Sequence, residues 1–251
     1  MRNRGFEFDI NGDIIRTKDF TWNVDVNLTT YKNKIVYLPE ERKTITTLDG
    51  TQGYSSGNYF YGEGQPLYTW YTYKYAGVYN ENNYVGDAAD VAQGGKAQEY
   101  DPSLAGQAMW YMTKVFYKEG TEKTENPEIE KETMIKTTTH SDADRYLCGT
   151  ALPDLYGGFG TSLNWKGIDF SINFGFQIGG KVYDSDYQSY MSNPYSQHRG
   201  YAMHADMLNA WSPENKDSNI PVLRYGDNTA NDTSDRFLIN GSYLSINNIN
   251  L

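Results

Sequence analysis

Apolar and polar residues alternate without a break from Ile168 to Ile178. Ile168, Phe170, Ile172, Phe174, Phe176 and Ile178 are apolar, while Asp169, Ser171, Asn173, Gly175 and Gln177 are polar or small. Side chains of a strand point to opposite faces with period two, so this stretch predicts a strand with one greasy and one wet face. The stretch before it alternates more loosely, with Phe159, Thr161, Leu163 and Trp165 set against Gly158, Gly160, Ser162 and Asn164. Lys166 and Gly167 lie between the two and predict a tight turn, with the glycine free to take positive φ. Residues 153–183 therefore predict a hairpin. Its second arm fits the roughly 9–11 residues of a tilted strand crossing hydrocarbon better than the roughly 5–6 of an ordinary soluble strand.

Residues 5–36 predict a second hairpin of the same kind. Phe6, Phe8 and Ile10 alternate with Glu7 and Asp9. After a turn at Thr17, Lys18 and Asp19, the residues Phe20, Trp22, Val24, Val26 and Leu28 alternate with Thr21, Asn23, Asp25 and Asn27. Residues 37–65 lose the period and gain Gly, Ser, Asn and Tyr, which predicts a long loop. Barrels of the outer membrane have short periplasmic turns and long extracellular loops, so this loop is assigned outward and the two turns inward. Residues 67–79 and 107–117 are aromatic on both parities and fit either strands at an aromatic girdle or segments packed inside a lumen. Either two crossings or none lie between the two hairpins. Residues 118–132 are a mixed-charge run that reads as a solvated loop. Residues 184–235 predict another outward loop with a short helix at 203–211, stopped by Pro213. Residues 236–251 begin a further strand.

Composition changes this picture little. Net charge is −10 and no basic stripe is present, which excludes nucleic-acid binding by counterion release. Mean hydropathy is −0.72 and no apolar run is long enough for a membrane helix. A barrel strand spends only alternate residues on lipid, so low hydropathy is compatible with one. With one cysteine, Cys148, no internal disulfide forms. The first residues carry no apolar leader segment. Taken literally that points to the cytoplasm; the alternative is a piece of a longer protein.

Chemical motifs are sparse. His140, His198 and His204 share no metal-ligand spacing, and no metal or cofactor is expected. Asp184 and Asp186 straddle Ser185 and could share a strand face as a glycosidase pair, but they sit where a strand enters a loop and read as polar surface. Residues 227–235 (DNTANDTSD) are rich in oxygen ligands yet lack the glycine and terminal glutamate of a calcium hand. No G-x-S-x-G elbow occurs, so no enzyme is expected. The aromatic excess, with 23 tyrosines, carries the chemistry that remains. Tyr54, Tyr59, Phe60 and Tyr61 fall in one outward loop and Tyr187, Tyr190, Tyr195 and Tyr201 in the other. Flat rings beside Asn, Asp and Gln stack on sugars or pack against a partner. These eight are the candidate ligand or partner contacts.

Several stretches resemble one family. LPDLYGGFGTSLNWKGIDFSINFGFQIGGKVYD (152–184), DMLNAWSPENKDSNIPVL (206–223), SDRFLINGSYLSINNINL (234–251) and the first hairpin (3–38) are similar, in order and at plausible spacing, to the SusC/RagA family of TonB-dependent outer-membrane transporters of the Bacteroidetes. The resemblance implies an all-β fold, with residues 1–251 an antiparallel transmembrane segment of a large plugged β-barrel with long extracellular loops. Plug and final strands would lie outside it. It also implies import of glycans or peptides, a SusD-like lipoprotein over the mouth, and a TonB complex acting through an N-terminal part. The lipid of the outer membrane would surround it. Two further readings stand beside it: a soluble β-rich carbohydrate-binding module, and a glycosidase on a β fold.

Overall fold

The computed structural model describes residues 1–122, 125, 127–191, 202–224, 227 and 229–251. The chain opens with β1 (Arg2–Arg16) and β2 (Phe20–Lys34). A long excursion follows, carrying β3 (Ile45–Thr46), β4 (Gln52–Ser56), β5 (Tyr59–Gly62), β6 (Thr69–Tyr73), β7 (Tyr75–Val78), α1 (Ala88–Ala92), β8 (Ala108–Tyr117), β9 (Ile129–Thr137) and β10 (Arg145–Thr150). The chain then returns as β11 (Leu155–Trp165) and β12 (Ile168–Ile178). A second excursion carries β13 (Lys181–Tyr183), α2 (Ser185–Tyr190) and β14 (Leu238–Asn240), and β15 (Tyr243–Asn250) closes the order.

The five long strands make one antiparallel sheet in the order β1-β2-β11-β12-β15. Because β2 pairs directly with β11, no crossing lies between the two hairpins. Register is fixed by the two turns. Lys166 and Gly167 both have positive φ, 49° and 89°, the geometry whose twist matches a two-residue hairpin. At the other turn the Thr17 hydroxyl accepts from the Phe20 N–H at 3.0 Å.

The excursions differ from the unstructured loops predicted above. The first contains a five-stranded sheet, β10-β6-β5-β4-β3, and a three-stranded sheet, β7-β8-β9. Glycines and tyrosines hid these short strands from any period-two count. The aromatic stretch at 67–79 divides at Lys74, giving β6 to one sheet and β7 to the other. The charged run at 118–132 gives way to β9 at Ile129, whose first three residues stay exposed; just before it Lys118 Nζ meets the Glu128 carboxylate at 2.7 Å. The helix predicted at 203–211 is a 3₁₀ turn over Ala205–Asn209. Ser218 Oγ and Asn215 Nδ2 both bond the Asn209 carbonyl, which ends the turn before α-helical pairing is established.

The two excursions pack on each other as one layer. Trp70 Nε1 donates to the Lys181 carbonyl at 3.0 Å, Thr72 Oγ1 to the Thr233 carbonyl at 3.1 Å, and the Tyr75 N–H to Asp235 Oδ1 at 2.8 Å. The buried side chains concentrate here rather than in the long sheet: Phe60, Met109, Trp110, Met191 and Phe237 are almost wholly enclosed.

Candidate functional site

The long sheet has two faces of opposite chemistry. Register stacks Ile10, Val26, Phe159, Phe174 and Ile246 in one row, and Phe8, Leu28, Gly157, Phe176 and Leu244 in the next. Nothing among the described residues covers this face. Ile10 is 51% exposed, Ile246 57% and Leu244 65%. An uncovered apolar surface of this breadth marks a surface meant for a partner or a membrane. Its polar exceptions are internally satisfied: Trp22 Nε1 donates to Thr161 Oγ1 at 2.8 Å, and Thr161 Oγ1 donates to the Asn23 carbonyl at 3.1 Å. On this face the rings of Trp22, Phe159, Phe174 and Phe176, with Val26 and Leu28, border an open apolar hollow of about 540 Å3.

The span fits a bilayer. The eleven residues of β12 rise about 3.3 Å each, and a tilt of about 40–45° reduces that length to the roughly 25 Å apolar band of a membrane barrel. At the turn end Trp165 is 53% exposed, with Lys166 Nζ 5.7 Å from its ring centroid, an arrangement suited to a headgroup boundary.

The opposite face is rich in amides and carboxylates. Asn11, Asp25, Gly160, Asn173 and Asn248 share one row. Gly160 makes room there: a Cβ would meet the Asn173 amide oxygen and lie 2.6 Å from Asp25 Oδ1. Nearby, Asn23 Nδ2 donates to Asp13 Oδ1 at 3.1 Å and to Asn11 Oδ1 at 3.3 Å. A face of this kind suits a water-filled lumen.

The aromatic candidates separate by strand parity. Tyr54 and Tyr61 pair across β4 and β5 with stacked rings, 5.2 Å and 21° apart, and the Arg42 guanidinium lies 5.3 Å from the Tyr54 centroid. Tyr59 shares their strand face but packs on Trp70 at 4.5 Å. Phe60 points the other way and is fully buried, so as a contact candidate it is corrected to a core residue. In α2, Tyr187 is turned inward: its hydroxyl donates to Asp206 Oδ2 at 2.8 Å and its ring meets His204 edge-on. Burial, and then that bonded carboxylate, push its phenol pKa up. Tyr190 is half exposed. Tyr195, Tyr201 and His198 lie outside the described residues.

The remaining motifs resolve into structure. Asp184 caps α2, accepting from the Tyr187 N–H at 2.8 Å, while Asp186 is exposed in its first turn, so the two do not share a strand face. Asp227 Oδ1 accepts from the Thr229 N–H, the Thr229 hydroxyl and the Ala230 N–H, a local turn rather than an ion cage. No group of three metal-type ligands occurs among the described residues.

Sequence reading missed a buried ionic knot. Lys136 Nζ bonds Asp87 Oδ2 at 2.5 Å and Asn83 Oδ1 at 2.8 Å, and its N–H donates to Asp90 Oδ1 at 2.7 Å. Burial alone would raise the Asp87 pKa; the bonds from Lys136 and the Asp90 N–H outweigh it and hold the carboxyl below its ordinary value. The knot ties α1 and its flanking loop to β9.

Comparison with known proteins agrees with the two-faced sheet. No family model matches the chain. TonB-dependent receptor P3 of Formosa agariphila is 28% identical over 252 residues, covering 99% of this chain and 21% of that receptor. TonB-dependent receptor P26 of the same organism is 26% identical over 251 residues, covering 100% of this chain and 22% of the relative. The chain thus spans about a fifth of the curated relatives it matches. Among solved structures, the RagAB peptide transporter superposes with a TM-score of 0.66 at 19% identity, over 98% of this chain and 22% of that one. The RagAB peptide importer in its open-open state gives the same score. These matches bear out the resemblance to SusC/RagA-type TonB-dependent receptors, and the fold is that of a stretch of their barrels.

Proposed function

We propose that residues 1–251 form wall strands and outer loops in the barrel of a SusC/RagA-type transporter of the outer membrane. The whole-length match to a fifth of the TonB-dependent receptors carries this reading. The uncovered apolar face, with its buried-polar exceptions satisfied inside the sheet, supports it independently. A soluble carbohydrate-binding module would have to leave that face in water.

In this reading the apolar rows face lipid and the Asn- and Asp-rich face lines the lumen. The packed layer of excursions stands on the extracellular side, opposite the short turns. The transporter imports oligosaccharides or peptides under TonB control, with a SusD-like lipoprotein over the mouth. Tyr54, Tyr59, Tyr61 and Tyr190, together with Tyr195 and Tyr201, are the residues for contact with cargo or with that partner. No bond-making chemistry is assigned.

Deleting the gene and growing the cells on single nutrients tests the reading. Growth on one class of oligosaccharide or peptide should fail, and uptake of that class by wild-type cells should stop when the proton gradient is collapsed. Unchanged growth on every such nutrient, or uptake indifferent to the gradient, contradicts it.

A further inference from the structure

Charge on the first hairpin is sorted by face. Register places Arg4 opposite Lys32 and Arg2 opposite Lys34, at the end of β1 and β2 away from the turn at Thr17, Lys18 and Asp19. Both pairs continue the apolar side, where Phe6 with Thr30, Phe8 with Leu28 and Ile10 with Val26 come next toward that turn. The acids Glu7, Asp9, Asp13 and Asp25 all fall on the other side, opposite Thr29, Asn27, Asn23 and Asn11. Like charges directly opposite each other, with β-carbons about 5 Å apart, destabilise a strand pair. Here two such pairs stand in succession, and all four side chains are exposed. Among the described residues none of the four enters an ion pair. Such an arrangement is favourable beside an anion and costly without one.

Depth and surroundings say which anion. From Phe20 to Lys32 β2 runs about 40 Å along the strand, or about 30 Å along the membrane normal at a tilt of about 40°. That is just past the roughly 25 Å apolar band, at the level of the headgroups on the extracellular side. Beside the cations, toward the bilayer centre, Phe6 is 71% exposed and Phe8 42%, and Val26 and Leu28 border the open apolar hollow of about 540 Å3. An anion with a long apolar tail matches both parts of this surface; a soluble anion matches only the cations. Arginine forks and lysine point charges together suit the several oxygens of a phosphate.

We propose that Arg2, Arg4, Lys32 and Lys34 bind the phosphorylated headgroup of an outer-leaflet lipid, whose acyl chains lie along Phe6, Phe8 and Leu28. The proposal rests on the barrel reading for the face that meets lipid, and adds a lipid held at a fixed place. In the test, the native transporter is purified from source outer membranes, stripped of lipid in detergent, and titrated with fluorescent diphosphoryl lipid A, read by anisotropy. Binding should saturate and weaken with rising salt. The same lipid with its phosphates removed should bind at least tenfold more weakly. Inorganic phosphate and dextran sulfate, a soluble polyanion, should not displace the bound lipid. Arg4→Gln combined with Lys32→Gln should weaken binding at least tenfold, whereas the charge-preserving exchange of Arg4→Lys with Lys32→Arg should retain it. Lys18→Gln, at the opposite end of the hairpin, should leave it unchanged. Melting in two lipids controls for folding. In phosphatidylcholine vesicles the double glutamine variant should melt above wild type, because a like-charge pair is relieved; in vesicles carrying diphosphoryl lipid A it should melt below wild type. Equal affinity for the two lipids, displacement by inorganic phosphate or dextran sulfate, or a melting shift of the same sign in both vesicles overturns the proposal. Residence is read separately by fractionation: an outer-membrane protein that binds both lipids alike loses this site and keeps the barrel, so the two failures are told apart.

Discussion

Arginine scanning along β12 gives the sharpest energetic test of the lipid-facing assignment. Phe174 lies beside the middle of β12 and in the row of Ile10, Val26, Phe159 and Ile246, with its ring stacked on Phe159 at 4.7 Å and 15°. An arginine at the bilayer midplane of a membrane barrel costs about 2–4 kcal/mol. Loss of the stacked ring pair adds about 0.5–1.5 kcal/mol. Phe174→Arg should therefore cost about 2.5–5.5 kcal/mol. Ile178 lies on the same face four residues on, about 10 Å along the membrane normal after a tilt of about 40°. That places it near the interface, where the arginine cost falls to about 0–1 kcal/mol. Ser171 points to the other face, and Ser171→Arg should cost about 0.5 kcal/mol or less. Guanidinium unfolding from lipid vesicles, followed by tryptophan fluorescence, reads all three. A steep order of Phe174, then Ile178, then Ser171 is the signature of a bilayer. Equal costs at Phe174 and Ile178, or at Phe174 and Ser171, would refute the reasoning.

Other consequences follow from the loop layer and the strand seams. Asp87 has a folded pKa below its ordinary 3.8, so its contribution is present above that value and is lost as pH falls through the lower folded value. Amide protection factors in residues 84–98 should thus be unchanged from pH 7 to 5 and fall only below about pH 4; Asp87→Asn should show low protection already at pH 7. Burial, and then the Asp235 carboxylate, raise the Cys148 thiol to about 11, so it should resist alkylation at pH 8 in the folded protein and react at once in denaturant. Gly157→Ala would drive a Cβ into the Asn27 carbonyl of the neighbouring strand, whereas at Gly160 it meets side chains that can turn aside. The first should cost about 1–3 kcal/mol and the second markedly less, measured in the same unfolding assay. Trp70→Ala removes a buried ring and its bond to the Lys181 carbonyl, and should destabilise the joined loop layer by about 3–5 kcal/mol.

The long strands were legible because lipid and water impose opposite demands on alternate residues. Ile168–Ile178 and the turn at Lys166 and Gly167 stand where the alternation placed them. The loop layer was illegible for the opposite reason. Its strands are as short as Ile45–Thr46, and Tyr, Gly and Ser populate both of their faces, so no period survives. The order of Phe60 beside Tyr61 shows the consequence: neighbours in a run of aromatics divide between core and surface, and composition cannot say which is which. Lys136 and Asp87 are brought together across 49 residues and leave no local signal at all.

Residence in the outer membrane separates a barrel wall from a soluble module. An antibody against residues 37–65 should detect it in the detergent-extracted outer membrane of its source cells, and should bind intact cells without permeabilisation. A product found only in the soluble fraction would contradict the account.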